Sequence, residues 1–382
     1  MAEKKCCKKN VWDEYELLSG EETTCETPDA PTGLTATEIT STRIDLSWTA
    51  PAQTVTGYKI ERQVDDGTWN TLIADTGNTN VTYSDTSVTA GTINTYRVTA
   101  INESCMSVAS GTAEDYAFSN ADARTGYNAV VTGNGGAINY SIYDTNPRTV
   151  KVKEGLDNFF VTAVTDGWKT DLRGCYLFFG GSAGAHAINI FNAGTYNLTF
   201  VNTPTQGKDG TTFNGSSQYA TTTGYIENTH GTLNNTHVSS LTSNVSSTGI
   251  DSYIGASSGT TQRIQTIHQA SGTVLQFSAY TSTNGAGRLE TTTARNQFLI
   301  GSRTASNSYK IYANGVSIVS ATDSGGTRPT VQHYIGALNN SGSPTNYVDG
   351  TFRFASMGLG LTDAKALSLY NALTTFNAIL GR

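Results

Sequence analysis

The feature that most constrains this 382-residue chain is a repeated two-residue alternation of side chains, cut at short intervals by turn residues. "RIDLSW" sets Ile44, Leu46 and Trp48 on alternate positions from Asp45 and Ser47. "GYKIERQ" alternates Tyr58, Ile60 and Arg62, and "NTYRVTAIN" alternates Tyr96, Val98 and Ala100. Farther on, "VLQFSAY" puts Leu275, Phe277 and Ala279 on one parity, and "TFRFASM" does the same with Phe352, Phe354 and Ser356. Asp66-Gly67 and Asn314-Gly315 fall at the turns, as two-residue hairpins require. The pattern predicts an all-β protein. One helix is expected near the end. Thr362 caps it, Asp363 sits at its positive end, and Leu369, Leu373, Phe376 and Leu380 share one face. A shorter helical segment is expected near Asp157–Val164.

Composition narrows the function classes. Charged residues make up 14%, against about 25% in an average chain. The net charge is −7, so no broad positive field attracts phosphate, and nucleic-acid binding is not expected. No stretch approaches the ~20 apolar residues of a membrane helix, so membrane insertion is not expected either. The start, "MAEKKCCKKN", has no apolar run behind its lysines, and a secretory signal is not expected.

The chain reads in four parts. Residues 1–27 hold four Lys and seven Asp or Glu around Trp12, Tyr15, Leu17 and Leu18, the composition of an arm that orders only against a partner. Residues 28–115 carry the strands of an antiparallel sandwich. Residues 116–147 are rich in Gly, Asn, Ala and Tyr and end at Asn146-Pro147, which predicts a connector with one hairpin. Residues 148–382 suit one large β domain. A short echo recurs at Tyr253–Ala256, Leu299–Ser302 and Tyr334–Ala337, as expected of strands ending in a close-packed glycine.

Residues 28–115 resemble a fibronectin type III domain in the Pro28/Pro31 opening, Trp48, Tyr58-x-Ile60 and "TYRVTAIN". The resemblance implies that Trp48 is a core residue and Tyr96 a structural tyrosine. Residues 148–382 resemble the concanavalin A-like lectin/glucanase, or laminin-G-like, jelly-roll sandwich, in the form found in tailed-bacteriophage virion proteins. Three stretches carry this likeness: Gly167-Trp168 through "CYLFFGGSAGAHAIN", "GTTFNGSSQYATT", and "YANGV" through the final helix.

Chemistry is sparse. Glucanases of this fold need two neighbouring carboxylates. After residue 116 the glutamates are Glu154, Glu227 and Glu290, with no second carboxylate two residues away, so no catalytic residue is assigned. His186, His230, His237, His268 and His333 form no zinc-ligand spacing, and solvent exposure or a local hydrogen bond is the expectation for each. Asp209, Asp251, Asp323 and Asp349 are loop carboxylates of the kind that hold calcium, but no pattern singles them out; no metal or cofactor is assigned. The odd set Cys6, Cys7, Cys25, Cys105 and Cys175 argues against a disulfide framework and for free thiols or contacts between chains.

These observations lead to an expected non-enzymatic bacteriophage virion protein of head-fibre, decoration or tail-fibre type. It would be displayed on the particle, anchored to capsid or tail proteins through residues 1–27, assembled as a homo-oligomer and able to bind host-surface carbohydrate. A bacterial carbohydrate-binding or adhesion protein is the alternative.

Overall fold

The computed structural model describes residues 26–103, 105–143, 148–226, 232, 234–246, 249–259, 262–268, 274–279, 288–322 and 327–382. The expected arm thus lies almost wholly outside the described residues, as do Cys6, Cys7 and Cys25. The chain divides into two compact units, one ending at Ala117 and the other running Phe118–Arg382.

The first unit is a two-sheet sandwich. One sheet orders β1 (Thr32–Thr40), β2 (Arg43–Thr49) and β5 (Thr82–Asp85). The other orders β4 (Trp69–Ile73), β3 (Gly57–Val64), β6 (Ile93–Asn102) and β7 (Cys105–Met106), with β8 (Ala113–Tyr116) also on β6. The alternation read from sequence decides the core: Ile44, Leu46 and Trp48 of one sheet meet Tyr58, Ile60, Tyr96 and Val98 of the other. Trp48 packs edge-on against Tyr58, with ring centroids 5.0 Å apart. Tyr96 is buried and donates its hydroxyl to Asp85 at 2.9 Å, and Arg62 reaches the same carboxylate at 2.7 Å. Burial alone raises the Asp85 pKa, but its bonds to Ser87, Tyr96 and Arg62 outweigh that and hold it below the ordinary value. A turn joins β3 to β4 near the Asp66-Gly67 signal, but its two positive-φ residues are Asp65 and Asp66, one position earlier, with Gly67 closing it by its amide to the Val64 carbonyl.

The second unit is also a sandwich, with helices added. Its first sheet orders β11 (Thr205–Gly207), β12 (Gly210–Asn214), β25 (Asp349–Gly358), β14 (Thr236–Ser243), β19 (Phe298–Ala305), β20 (Ser308–Ala313) and β21 (Val316–Ala321). Strand β9 (Leu172–Tyr176) joins this sheet along β25. The second sheet orders β10 (Leu198–Val201), β13 (Tyr219–Ile226), β22 (Gln332–Ile335), β15 (Asp251–Ser257), β16 (Arg263–His268), β17 (Val274–Ala279) and β18 (Arg288–Thr292). Strand β23 (Leu338–Asn340) runs parallel to β15 and pairs with β24 (Ser343–Thr345). The core lies between these sheets: Phe213, Val238, Leu299, Ile311 and Phe352 face Ala220, Ile254, Ile264, Phe277 and Ile335. Fully burying one such side chain stabilises by roughly 1.5–3 kcal/mol.

The expected hairpin at Asn314-Gly315 joins β20 to β21, both residues having positive φ. Of the three echoed glycines, Gly301 sits inside β19 and Gly255 inside β15, so only Gly336 (φ +80°) follows a strand end. Gly301 and Gly336 share a purpose: a Cβ there would stand 2.1 Å and 2.6 Å from the rings of Phe277 and Phe213.

Helices pack against the first of these two sheets. Helix α1 spans Ala121–Gly133, α2 Thr149–Thr165, α3 Ala183–His186 and α4 Asp363–Ile379. Thr362 caps α4 through the Lys365 amide, and Leu369, Leu373, Phe376 and Leu380 are all buried, as their spacing predicts. On the strand side, Tyr370 stacks on Phe298, and Asp363 accepts from Lys310 and Tyr312. Beyond α4, the half-buried Arg382 guanidinium donates to the carbonyls of Leu177, Phe178 and Lys208.

The predicted connector is corrected. Residues 118–143 belong to the second unit and contain α1 and a short turn of helix, Tyr140–Ile142, rather than a hairpin. Asn120 caps α1, and the Asp157 carboxylate of α2 accepts from Ser119 and from the Asn120 amide, fastening the two helices. The short helix expected near Asp157–Val164 extends back to Thr149. Asn146-Pro147 lies outside the described residues. Among the described residues no helix is long and apolar enough to cross a membrane.

Candidate functional site

The Gly-rich motif at 178–189 is built into the scaffold. Phe178, Gly180 and Gly181 all have positive φ, which makes a tight turn after β9. The Gly180 amide donates to the Tyr143 hydroxyl and the Gly181 amide to His186 Nε2. With Nε2 accepting, the His186 proton sits on Nδ1, which faces Gln206 Oε1 at 2.7 Å. Burial pushes this imidazole down to about 3, against the opposing pull of Gln206. Asn189 holds three backbone groups: its Oδ1 accepts from the Cys175 amide, and its Nδ2 donates to the Arg173 and Thr195 carbonyls. The His186 and Asn189 side chains are thus spent on local bonds, as expected of a locally hydrogen-bonded His186.

His237 lies on buried strand β14. Its Nδ1–H donates to the Leu359 carbonyl, so Nε2 accepts from the Ser356 hydroxyl at 2.9 Å, and Ser239 bonds Ser356 at 2.6 Å. A serine beside a histidine acceptor is a pattern of nucleophilic catalysis. Here His237, Ser239 and Ser356 are all fully buried, so the trio ties β14 to β25 and meets no substrate. Burial lowers His237 to about 4. His333 is also buried, and burial with repulsion from His237 takes it to about 3. His237 thus meets the expectation of a hydrogen bond rather than that of exposure, and neither it nor His333 reaches the surface.

The carboxylate candidates stay apart. Glu154 lies on α2 and pairs with Lys151 at 3.0 Å, while Glu290 lies on β18 and accepts from Gln276 at 2.8 Å. Glu227, His230 and Asp323 lie outside the described residues. Asp251 is buried against Arg295; burial raises its pKa, and the guanidinium opposes this. Asp209 meets Arg353 and Lys208, each at 3.4 Å. Asp349 is exposed at the start of β25. Among the described residues no group of three or more His, Cys, Asp or Glu is arranged to hold a metal ion.

What remains is a face. Ala220 and Ile335 point into the core, so their strand neighbours Tyr219, Thr221 and Tyr334 lie on the opposite side of the second sheet. Tyr219 and Tyr334 stand 4.5 Å apart between ring centroids, and Tyr347 adds a third ring 6.2 Å from Tyr219. Tyr219 and Tyr347 are half-buried, and burial together with Tyr219 raises the phenol pKa of Tyr334 and Tyr347. On the same side, Gln265, Gln276 and Ser278 form a polar row across β16 and β17. Gln265 Oε1 and Ser252 Oγ are buried and make no hydrogen bond. Gln265, Gln276, Ser278, Ser252 and Tyr334 are all buried, so what this side offers a ligand is the half-buried rings of Tyr219 and Tyr347. No local stretch of the sequence brings these three tyrosines together.

Comparison with known proteins bears on the first unit. The fibronectin type III domain family matches residues 29–115, and those residues form such a domain. A solved Fn3-like protein from Clostridium thermocellum is 30% identical over 23% of this chain and 92% of its own, with a TM-score of 0.21. Titin domains A168–A170 are 21% identical over 24% of this chain, with a TM-score of 0.22, and the match spans 32% of that titin fragment. No curated protein matches the sequence.

Proposed function

We propose that the chain is a non-enzymatic structural protein displayed on a bacteriophage particle. In this reading residues 1–27 anchor it to capsid or tail proteins, the fibronectin type III domain is a spacer, and the second unit is a concanavalin A-like sandwich that touches host-surface carbohydrate. The observation that carries it is the tyrosine cluster on the sheet side turned away from the core, where the half-buried rings of Tyr219 and Tyr347 flank the buried Tyr334. Pyranose rings stack on such phenols. Supporting it further, the Gly-His-Asn stretch that resembles phage virion proteins is consumed by its own fold, which suits a scaffold more than a reaction centre.

Two measurements test the proposal. Mass spectrometry of purified particles should find this polypeptide; its recovery instead from a bacterial envelope fraction would favour the adhesion alternative. On a glycan array, the wild type should bind a restricted set of surface glycans, and Tyr219→Ala should weaken that binding about tenfold, the equivalent of ~1.4 kcal/mol. Equal binding by the two proteins removes the glycan-contact part of the reading.

A further inference from the structure

We infer that the second unit carries a further binding site, a cleft beside β9 that takes a carboxylate-bearing residue of an acidic saccharide. The cleft measures about 420 Å³, and its lining includes Lys169, Thr170, Arg173, Phe191, Asn192 and Tyr196. That size lies within the range of about 300–1,000 Å³ usual for small-molecule sites. The residues come from the turn after α2, the start of β9 and the loop between α3 and β10. None of them belongs to the tyrosine cluster of β13 and β22.

Arg173 sets the charge of the ligand. It is exposed, and among the described residues its guanidinium makes no hydrogen bond or ion pair. The lysines around this turn are already matched: Lys169 pairs with Asp122, and Lys365 with Asp171 at 2.6 Å. One uncompensated guanidinium fits one carboxylate, which it grips with two parallel N–H donors. A multiply charged phosphate or sulfate would demand more cation than the cleft holds, on a chain whose net charge is −7. Phe191 and Tyr196 are half-buried and offer apolar walls for the carbon face of a sugar ring. Thr170 and Asn192 are exposed and bring a hydroxyl and an amide for ring hydroxyls.

The walls are set in advance. Asn189 donates to the Arg173 carbonyl at 2.8 Å and to the Thr195 carbonyl at 3.0 Å, which ties the two sides together. The Phe191 ring packs on Phe160 and Trp168, with centroids 4.7 Å and 6.0 Å away. Tyr196 holds a left-handed backbone (φ +57°), and the Tyr176 hydroxyl donates to its carbonyl at 2.5 Å. Such strain gathers at ligand clamps, and a rigid site loses less freedom on binding. That the ligand is a sugar rests on the carbohydrate reading of this unit; that it is anionic rests on Arg173.

Calorimetric titration of the full chain tests this with oligosaccharides of glucuronate, galacturonate and mannuronate, beside their carboxyl-reduced neutral forms. At least one acidic oligosaccharide should bind, and its reduced form should bind about tenfold more weakly or worse. Arg173→Gln should lower the acidic affinity by a similar factor. Arg173→Lys, which keeps the charge but not the fork, should lower it less. Both changes fall on an exposed side chain, so both variants should melt with the wild type. Tyr219→Ala should leave this affinity unchanged. Failure of all three acidic sugars to bind, equal binding by the neutral forms, or equal binding by Arg173→Gln overturns the assignment. Acidic binding lost in Tyr219→Ala but kept in Arg173→Gln also overturns it, while sparing the carbohydrate reading. Other glycans retained on the array when the uronates fail would likewise sink the cleft alone.

Discussion

Acid should unfold the second unit well before its carboxylates protonate, because three of its histidines are buried and neutral. Consider His237. It is fully buried, and its Nε2 already accepts the Ser356 hydroxyl, so a proton can enter only by breaking that bond. Its folded pKa is about 4 against an unfolded value of 6.5. Between those values the unfolded chain binds the proton and the folded one does not. Stability is therefore whole above about pH 6.5 and falls as the pH drops toward 4. At pH 5 the unfolded state gains roughly 1.5 log units of proton binding, about 2 kcal/mol. His186 and His333, both lowered to about 3, add similar amounts, for a total near 6 kcal/mol. That is comparable to the whole stability of many domains. Urea unfolding followed by tryptophan fluorescence reads the effect, since Trp168 is fully buried in this unit. The variant His237→Gln offers a donor and an acceptor but no titration. It should cost about 1–3 kcal/mol at pH 7 and lose about 2 kcal/mol less than the wild type between pH 7 and 5. Equal wild-type stability at the two pH values, or equal losses by wild type and variant, would refute the reasoning.

Two further outcomes follow from packing. Tyr96→Phe removes the hydroxyl that meets Asp85 and should destabilise the first unit by about 1–2 kcal/mol, seen as a lower thermal midpoint, while the second unit is unchanged. Gly301→Ala places a Cβ 2.1 Å from the Phe277 ring and should cost about 1–3 kcal/mol in urea, whereas Gly259→Ala, with no atom within 4 Å, should melt like the wild type.

Where local pattern and tertiary need coincide, the sequence was readable. Trp48, Tyr58 and Tyr96 alternate because one face of each strand is core, and Thr362 announces α4 because an uncapped helix start leaves amides bare. Helix α1 escaped because its glycines looked like flexibility. Gly126 and Gly133 are there for contact: a Cβ on either would stand 2.8 Å from the Ile190 carbonyl or 2.5 Å from that of Gly184. Gly155 of α2, which lies against the Ile379 side chain, blurred that helix in the same way. The tyrosine cluster was illegible for a different reason. Tyr219 and Tyr334 are brought together only by the pairing of β13 with β22, which no local window contains. His237 needed the same kind of information, since its partners Ser356 and Leu359 come from the neighbouring strand β25 and the residue after it, distant in sequence.

The pairing of β25 has a bearing on biosynthesis. This strand neighbours β9, β12 and β14, all of which leave the ribosome much earlier. Until residues 349–358 emerge, those segments wait with an open edge, at risk of joining the wrong neighbour. The fibronectin type III domain draws its strands from the first third of the chain and faces no such delay. Nascent polypeptides should thus carry one finished body and one unfinished one for most of translation, and chaperone demand should concentrate on the latter.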